Sequence, residues 1–256
     1  MSIIPFSYSN SIGKTPGVSR ALVSGWSKDV QKVNLPQTIW PGVGLLPMFN
    51  VAQNLEVLST DPNDTTGGSG MGSVIIGLRD FNYNSVTIQV ALNGLTPVPV
   101  PGGPYIGLRV MQTLNSPAFG ISNLGDIIVR VVGGVMLDMM PAGYGHRKTC
   151  SHIVTNSETN DLLYICACIW HPTSKNVSAV LSTRVVGPGS GVRKELQFTV
   201  HDSSPVVIIM GEGAAFISLA AKSQCTLEIE DLSDNGVNVY ASMSLLQWTQ
   251  QARLSL

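Results

Sequence analysis

The chain has 256 residues, 44% of them apolar and only 12% charged, with a net charge of −1. That length holds one large β domain or two smaller ones. The totals exclude several classes: no charge footprint for nucleic acid or an anionic membrane surface, no membrane-spanning run of roughly 18 apolar residues, and no disulfide scaffold from four cysteines that lack CxxC pairs.

Residues 1–45 are dense in Ser, Lys and Pro and lack clear strand periodicity. They read as an N-terminal arm that orders by packing on a partner, with Trp26 and Trp40 as apolar assembly anchors. The opening MSIIPFSYSNSIGK does not read as a signal peptide, because Pro5 breaks its apolar run and Lys14 follows that run. Gly13-Lys14-Thr15 is not a phosphate loop: the glycine required five residues before Gly13 is replaced by Tyr8.

The chain's 26 Gly and 15 Pro are scattered throughout, and from residue 46 onward they punctuate short β-branched runs. Strands are predicted over 55–59, 72–78, 86–91, 105–113 and 126–132. A second series covers 147–155, 162–170, 177–186, 195–201, 206–210, 216–220, 225–230 and 239–248. Turn signals separate them, among them Asn93-Gly94 and Asn235-Gly236. The expected fold is all-β, a jelly-roll-like β-sandwich in two successive modules, 46–133 and 134–256. Gly133-Gly134 and the Met-rich run 135–140 mark the boundary. The glycine sets 67–72 and 187–191 read as mobile loops, because neither leads a strand into a helix that could hold an anion.

Candidate chemistry is sparse. If 150–168 formed a hairpin centred at Thr159, Cys150, His152, Cys166 and Cys168 would meet on one face, a donor set that resembles zinc ligands in composition. The spacing is not that of a zinc site, a one-residue register shift would scatter the group, and cysteines on strands commonly act as small buried hydrophobes. A cross-strand disulfide is the remaining alternative. No Ser lies in a nucleophile elbow. The pair Glu228 and Glu230 shares one strand face, read as a solvated face rather than a glycosidase dyad. No catalytic residue, cofactor or metal is assigned.

Several short motifs, in shared order, resemble a family of β-rich virion structural proteins of tailed phages. They are Gln37-Thr38-Ile39-Trp40 with Gly42 and Gly44, Asn82-Tyr83-Asn84, Leu92-Asn93-Gly94-Leu95-Thr96-Pro97-Val98, Asn123-Leu124-Gly125-Asp126-Ile127, Met140-Pro141-Ala142-Gly143-Tyr144, and the final strands 225–230 and 239–246. The chain departs from the family pattern at Pro41, where relatives carry Asp, and in the Cys/His segment. The resemblance implies a non-enzymatic particle component located in the virion and assembled in the host cytoplasm: capsid decoration, cement or head fibre. The alternative is a tail or neck part that binds a host receptor or glycan. Implied partners are further copies of the chain, with a trimer expected, and major capsid or tail proteins. No nucleic acid or membrane partner is expected.

Overall fold

The structure is a computed structural model that describes residues 18–47, 51–114, 122–173, 176–187, 191–202, 204–209 and 217–249. The strands, in chain order, are β1 (Val18–Val30), β2 (Gln37–Thr38), β3 (Leu55–Ser59), β4 (Ser73–Asp80), β5 (Ser85–Ala91), β6 (Val98–Pro99), β7 (Tyr105–Leu114), β8 (Ile127–Val131) and β9 (Met136–Met140). They continue as β10 (Ser151–Ile153), β11 (Glu158–Trp170), β12 (Ser178–Val186), β13 (Val192–His201), β14 (Val206–Ile209), β15 (Ser218–Leu219), β16 (Gln224–Leu232) and β17 (Val237–Thr249). The one helical element among the described residues is a 3-10 turn, Lys32–Asn34. The fold is all-β, with antiparallel pairing throughout the named strands.

Four sheets form two sandwiches. Sheet I has the order β1-β17-β11-β14, with β15 also on β11; sheet II runs β10-β16-β12-β13, with β2 also on β16. Their inner faces share one core that includes Ala21, Ile39, Cys150, Leu162, Ile165, Leu181, Leu227, Ile229, Val239 and Met243. Sheet III runs β6-β3-β8-β9 and sheet IV β5-β4-β7. They enclose a second core built on Leu55, Val57, Val74, Ile76, Leu78, Leu108, Ile127 and Met140.

The modules are therefore nested, not successive. Strands β1 and β2 belong with β10–β17, and the 55–140 sandwich is inserted between them. This corrects the expected 1–45 arm over its described part. β1 pairs along its length with β17, from Val18↔Trp248 to Val30↔Val237, and it places Ala21 and Val30 in the core. Residues 1–17 lie outside the described residues. The inward side of β1 carries Ala21, Val23, Gly25 and Ser27, mostly small residues that give a weak hydrophobic alternation. Gly25 is small because it must be: a Cβ there would stand 2.4 Å from the Cys150 amide nitrogen and 2.6 Å from the Ile39 carbonyl oxygen. The boundary at 133–134 is corrected too. β9 pairs with β8 from Ile127↔Met140 to Arg130↔Met136, so Gly133-Gly134 is a hairpin turn, with Gly133 at φ +66°, and the Met-rich run is a strand of the inserted module.

The glycine loop 67–72, expected to be mobile, is anchored. Asp64 is fully buried and its carboxylate accepts from the Ser59 hydroxyl at 2.6 Å and from the backbone N–H groups of Met71, Leu124 and Gly125 at 2.8, 3.0 and 2.9 Å. A Cβ on Gly70 would lie 2.2 Å from Asp64 Oδ1. The loop 187–191 is described only at its ends.

Candidate functional site: the outer sheet face and the inter-module junction

The Cys/His set does not assemble. Residues 154–157 carry the chain from sheet II to sheet I, so β10 and β11 do not pair as a hairpin. Val154 and Leu162 both point into the shared core, which favours this crossing. His152 lies opposite Cys225. Cys150 and Cys225 are buried free thiols; burial pushes the Cys150 thiol upward and the Cys225 thiol to about 12, so both act as small hydrophobes. Cys166 and Cys168 lie on the opposite side of sheet I, half-buried and free. No group of three or more metal-ligating side chains occurs among the described residues.

His152 instead sits in a polar junction between the modules. It is 1% exposed, and the Asn160 amide lies 2.6 Å from its Nε2. Burial, with the Arg109, Arg79 and Arg147 guanidinium groups nearby, holds its pKa down at about 3, so it is neutral. Arg79 reaches from β4 of the inserted module to the Ile153 carbonyl at 3.1 Å; it is fully buried and burial lowers its pKa to about 10. Arg147 pairs with Asp138 and donates to the carbonyls of Arg109 at 2.9 Å and Ser151 at 3.2 Å. Thr149 donates to Asp138 at 2.6 Å. These contacts tie β4, β7 and β9 to the outer sandwich. Beside them lies a cleft of about 410 Å3, lined by Arg20 and Ser24 of β1, Arg109 and Gln112 of β7, and His146.

The proposed anchors separate. Trp40 is 2% exposed and donates from Nε1 to the Gly44 carbonyl at 3.0 Å, so it packs inside its own loop and is no surface anchor. Trp26 stays half-buried on the outer face of sheet I. Lys28 Nζ lies 4.2 Å from the Trp26 ring centre, and Tyr144 is a ring neighbour at 5.3 Å. Glu228 is also corrected: it is 1% exposed, not solvated. It lies 3.4 Å from Arg184, and burial raises its pKa. Glu230 accepts from Ser182 and Lys194, both at 2.5 Å.

The sequence reading missed the outer face of sheet I. Side chains alternate across a strand and directly paired residues share a face. The register therefore lays out rows on that face: Trp26–Tyr240–Cys168, Ser24–Ser242–Cys166–Val207, and Leu22–Ser244–Tyr164–Ile209. Trp170 and Asn238 form a further pair beyond the first row. Leu22 is 65% exposed, Val207 58%, Ile209 75% and Trp170 45%. The outer face of sheet II is different in kind, carrying the Arg184–Glu228 and Lys194–Glu230 ion pairs with exposed Gln197 and Thr199. The apolar face was hard to read because its members come from four separated strands, and each strand contributes only two or three of them.

No protein-family model matches the chain, and no curated protein does. Among solved structures it aligns with the infectious bursal disease virus VP2 subviral particle at TM-score 0.17 and 10% identity, over 96% of this chain and 78% of that one. It also aligns with the Gx strain of the same virus at TM-score 0.14 and 10% identity, over 98% and 88%. VP2-derived T=1 particles align at TM-score 0.14 and 11% identity, over 99% and 86%. At such scores the alignments carry no argument about fold or role.

Proposed function

We infer that the chain is a non-enzymatic structural subunit of a virus particle, acting through protein–protein contacts as a capsid decoration, cement or head-fibre component. The observation that carries the reading is the outer face of sheet I, where Leu22, Val207, Ile209 and Trp170 stand exposed on a regular sheet. Exposed large apolar side chains gathered on one sheet face mark interaction sites. The order of motifs resembling tailed-phage virion proteins supports the particle assignment. The carboxylates and thiols singled out in the sequence serve packing and pairing: Glu228 and Glu230 are held by cations, and Cys150 and Cys225 fill the core.

A second reading, a tail or neck component that binds a host receptor or glycan, is favoured by Trp26 and the 39%-exposed Tyr144. They lie side by side with Lys28 and Lys148 against their rings. Aromatic rings of this kind can stack on sugar faces.

Antibody–gold labelling of intact particles tests both readings. Label spread over the head is the expected result. Label confined to the tail or neck supports the receptor reading. Absence from the particle, confirmed by mass spectrometry, refutes both.

A further inference from the structure

We propose that the cleft between β1 and β7 takes an extended, carboxylate-bearing segment of another protein, which adds to the open edge of β1 as a further strand. The site is separate from the outer face of sheet I and does not depend on the particle reading.

The open edge follows from the register. β1 pairs with β17 on one side only, without a shift from Val18 to Ser27. The Trp26 N–H points away from β17 and donates to the Lys148 carbonyl at 3.2 Å. Backbone groups alternate sides along a strand, so the N–H and C=O of Ser24, Leu22 and Arg20 point away from β17 as well. None of these groups has a hydrogen-bond partner among the described residues. They follow one another at ~6.8 Å and border the cleft of about 410 Å3, which is within the usual range of ligand sites, about 300–1,000 Å3. A repeat of one donor and one acceptor matches a polypeptide backbone adding as a strand. A DNA backbone offers acceptors alone.

Charge selects the guest. Arg20, Arg109, Arg147 and His146 line the cleft, and no carboxylate does. Arg147 is committed to Asp138. Arg20 uses its Nε on the Ser244 hydroxyl at 2.7 Å, which leaves its two terminal nitrogens, and Arg109 makes no ion pair or side-chain hydrogen bond among the described residues. A guanidinium fork of this kind takes a carboxylate through two parallel hydrogen bonds. His152 lies in the wall of the same cleft. Burial, then the charges of Arg109, Arg79 and Arg147, keep it neutral, in keeping with a positive field there.

The chain itself supplies no matching segment. Residues 1–17, 115–121 and 250–256 contain Lys14 and Arg253 and no Asp or Glu. The densest acidic run, Glu228 to Asp231, lies in β16, hydrogen-bonded between β10 and β12. Neither these segments nor a second copy complements the cleft, so the guest is a different protein.

Fluorescence anisotropy on the full chain tests the proposal. The probe is a capped, labelled octapeptide of alternating threonine and glutamate; its control carries lysine in place of glutamate. The acidic peptide should bind saturably and the lysine peptide should not. Arg109→Gln should weaken binding by about tenfold with an unchanged circular dichroism spectrum. A second readout needs no protein variant. N-methylation of every second peptide residue should abolish binding for one alternating set and spare it for the other, because only one set turns its N–H groups to β1. The proposal is overturned by an acidic peptide that fails to bind at millimolar concentration, by equal effects of the two methylated sets, or by a folded Arg109→Gln that binds as wild type does. A single-stranded DNA octamer that binds more tightly than the peptide also overturns it and assigns the cleft to nucleic acid. Peptide binding by a chain that is absent from particles keeps this site and removes the particle reading; a particle component that binds no acidic peptide keeps that reading and loses the site.

Discussion

At the scale of single residues, Gly25, Asp64 and His152 carry more of the fold than their neighbours. A side chain at Gly25 would meet backbone atoms of Cys150 and Ile39, which cannot swing aside as a side-chain tip can. Gly25→Val should therefore destabilise the protein by about 1–3 kcal/mol through overpacking, read as a lowered urea midpoint. His152 makes stability depend on pH. The unfolded chain takes a proton there near the ordinary value of 6.5, whereas the folded chain resists it down to about 3. The stabilisation is complete above pH 6.5 and is lost as pH falls through that window, by up to ~1.4 kcal/mol per unit. Glu228 acts in the opposite sense: its raised pKa means that the stability tied to its protonated form is lost as pH rises past the ordinary carboxylate value. The difference between wild type and His152→Asn isolates the histidine. Between pH 6.5 and 4.5 the wild type should lose about 2–3 kcal/mol more than the variant; parallel pH profiles would contradict a buried neutral imidazole.

At the scale of elements, the Arg147–Asp138 pair joins β9 to the segment that leads into β10. Both side chains are buried, at 7% and 0% exposure. Removing one partner leaves a buried charge uncompensated, so Asp138→Ala should cost roughly 3–5 kcal/mol. The loss should show as a large drop in the thermal midpoint, with Asp138→Asn intermediate because it can still accept from Thr149. Elements were also where the sequence was most and least legible. Strands such as β4, β11, β16 and β17 announce themselves by β-branched runs between turn residues, and the all-β class follows from them. β1 does not, because its inward positions are Ala, Val, Gly and Ser, chosen for close approach to Cys150 and Ile39 and not for apolar bulk. The Cys/His hairpin failed for a related reason: the spacing of 150–168 suits a hairpin and a sheet-to-sheet crossing equally, and only the core demand of Val154 and Leu162 selects the crossing.

At the scale of the molecule, nesting one sandwich inside another makes the ends of the described chain, β1 and β17, neighbours in one sheet. Truncation is the direct consequence. Removing residues 1–36, as an arm model would suggest to be harmless, deletes the edge strand of sheet I with Ala21 and Val30 of its core, and should yield an aggregated or unfolded product by circular dichroism. The same arrangement leaves β17 and β11 at the middle of a sheet whose inner face builds the core and whose outer face is apolar. An apolar outer face is in keeping with a chain of so little charge: 12% against a usual share of about 25%.

Quantitative mass spectrometry of purified virions decides whether this chain is a structural subunit of a particle. A structural subunit should be present at tens of copies or more per particle, in fixed ratio to the major capsid protein as closed symmetry demands. Its absence, or trace amounts that vary between preparations and wash off in salt, would contradict that role.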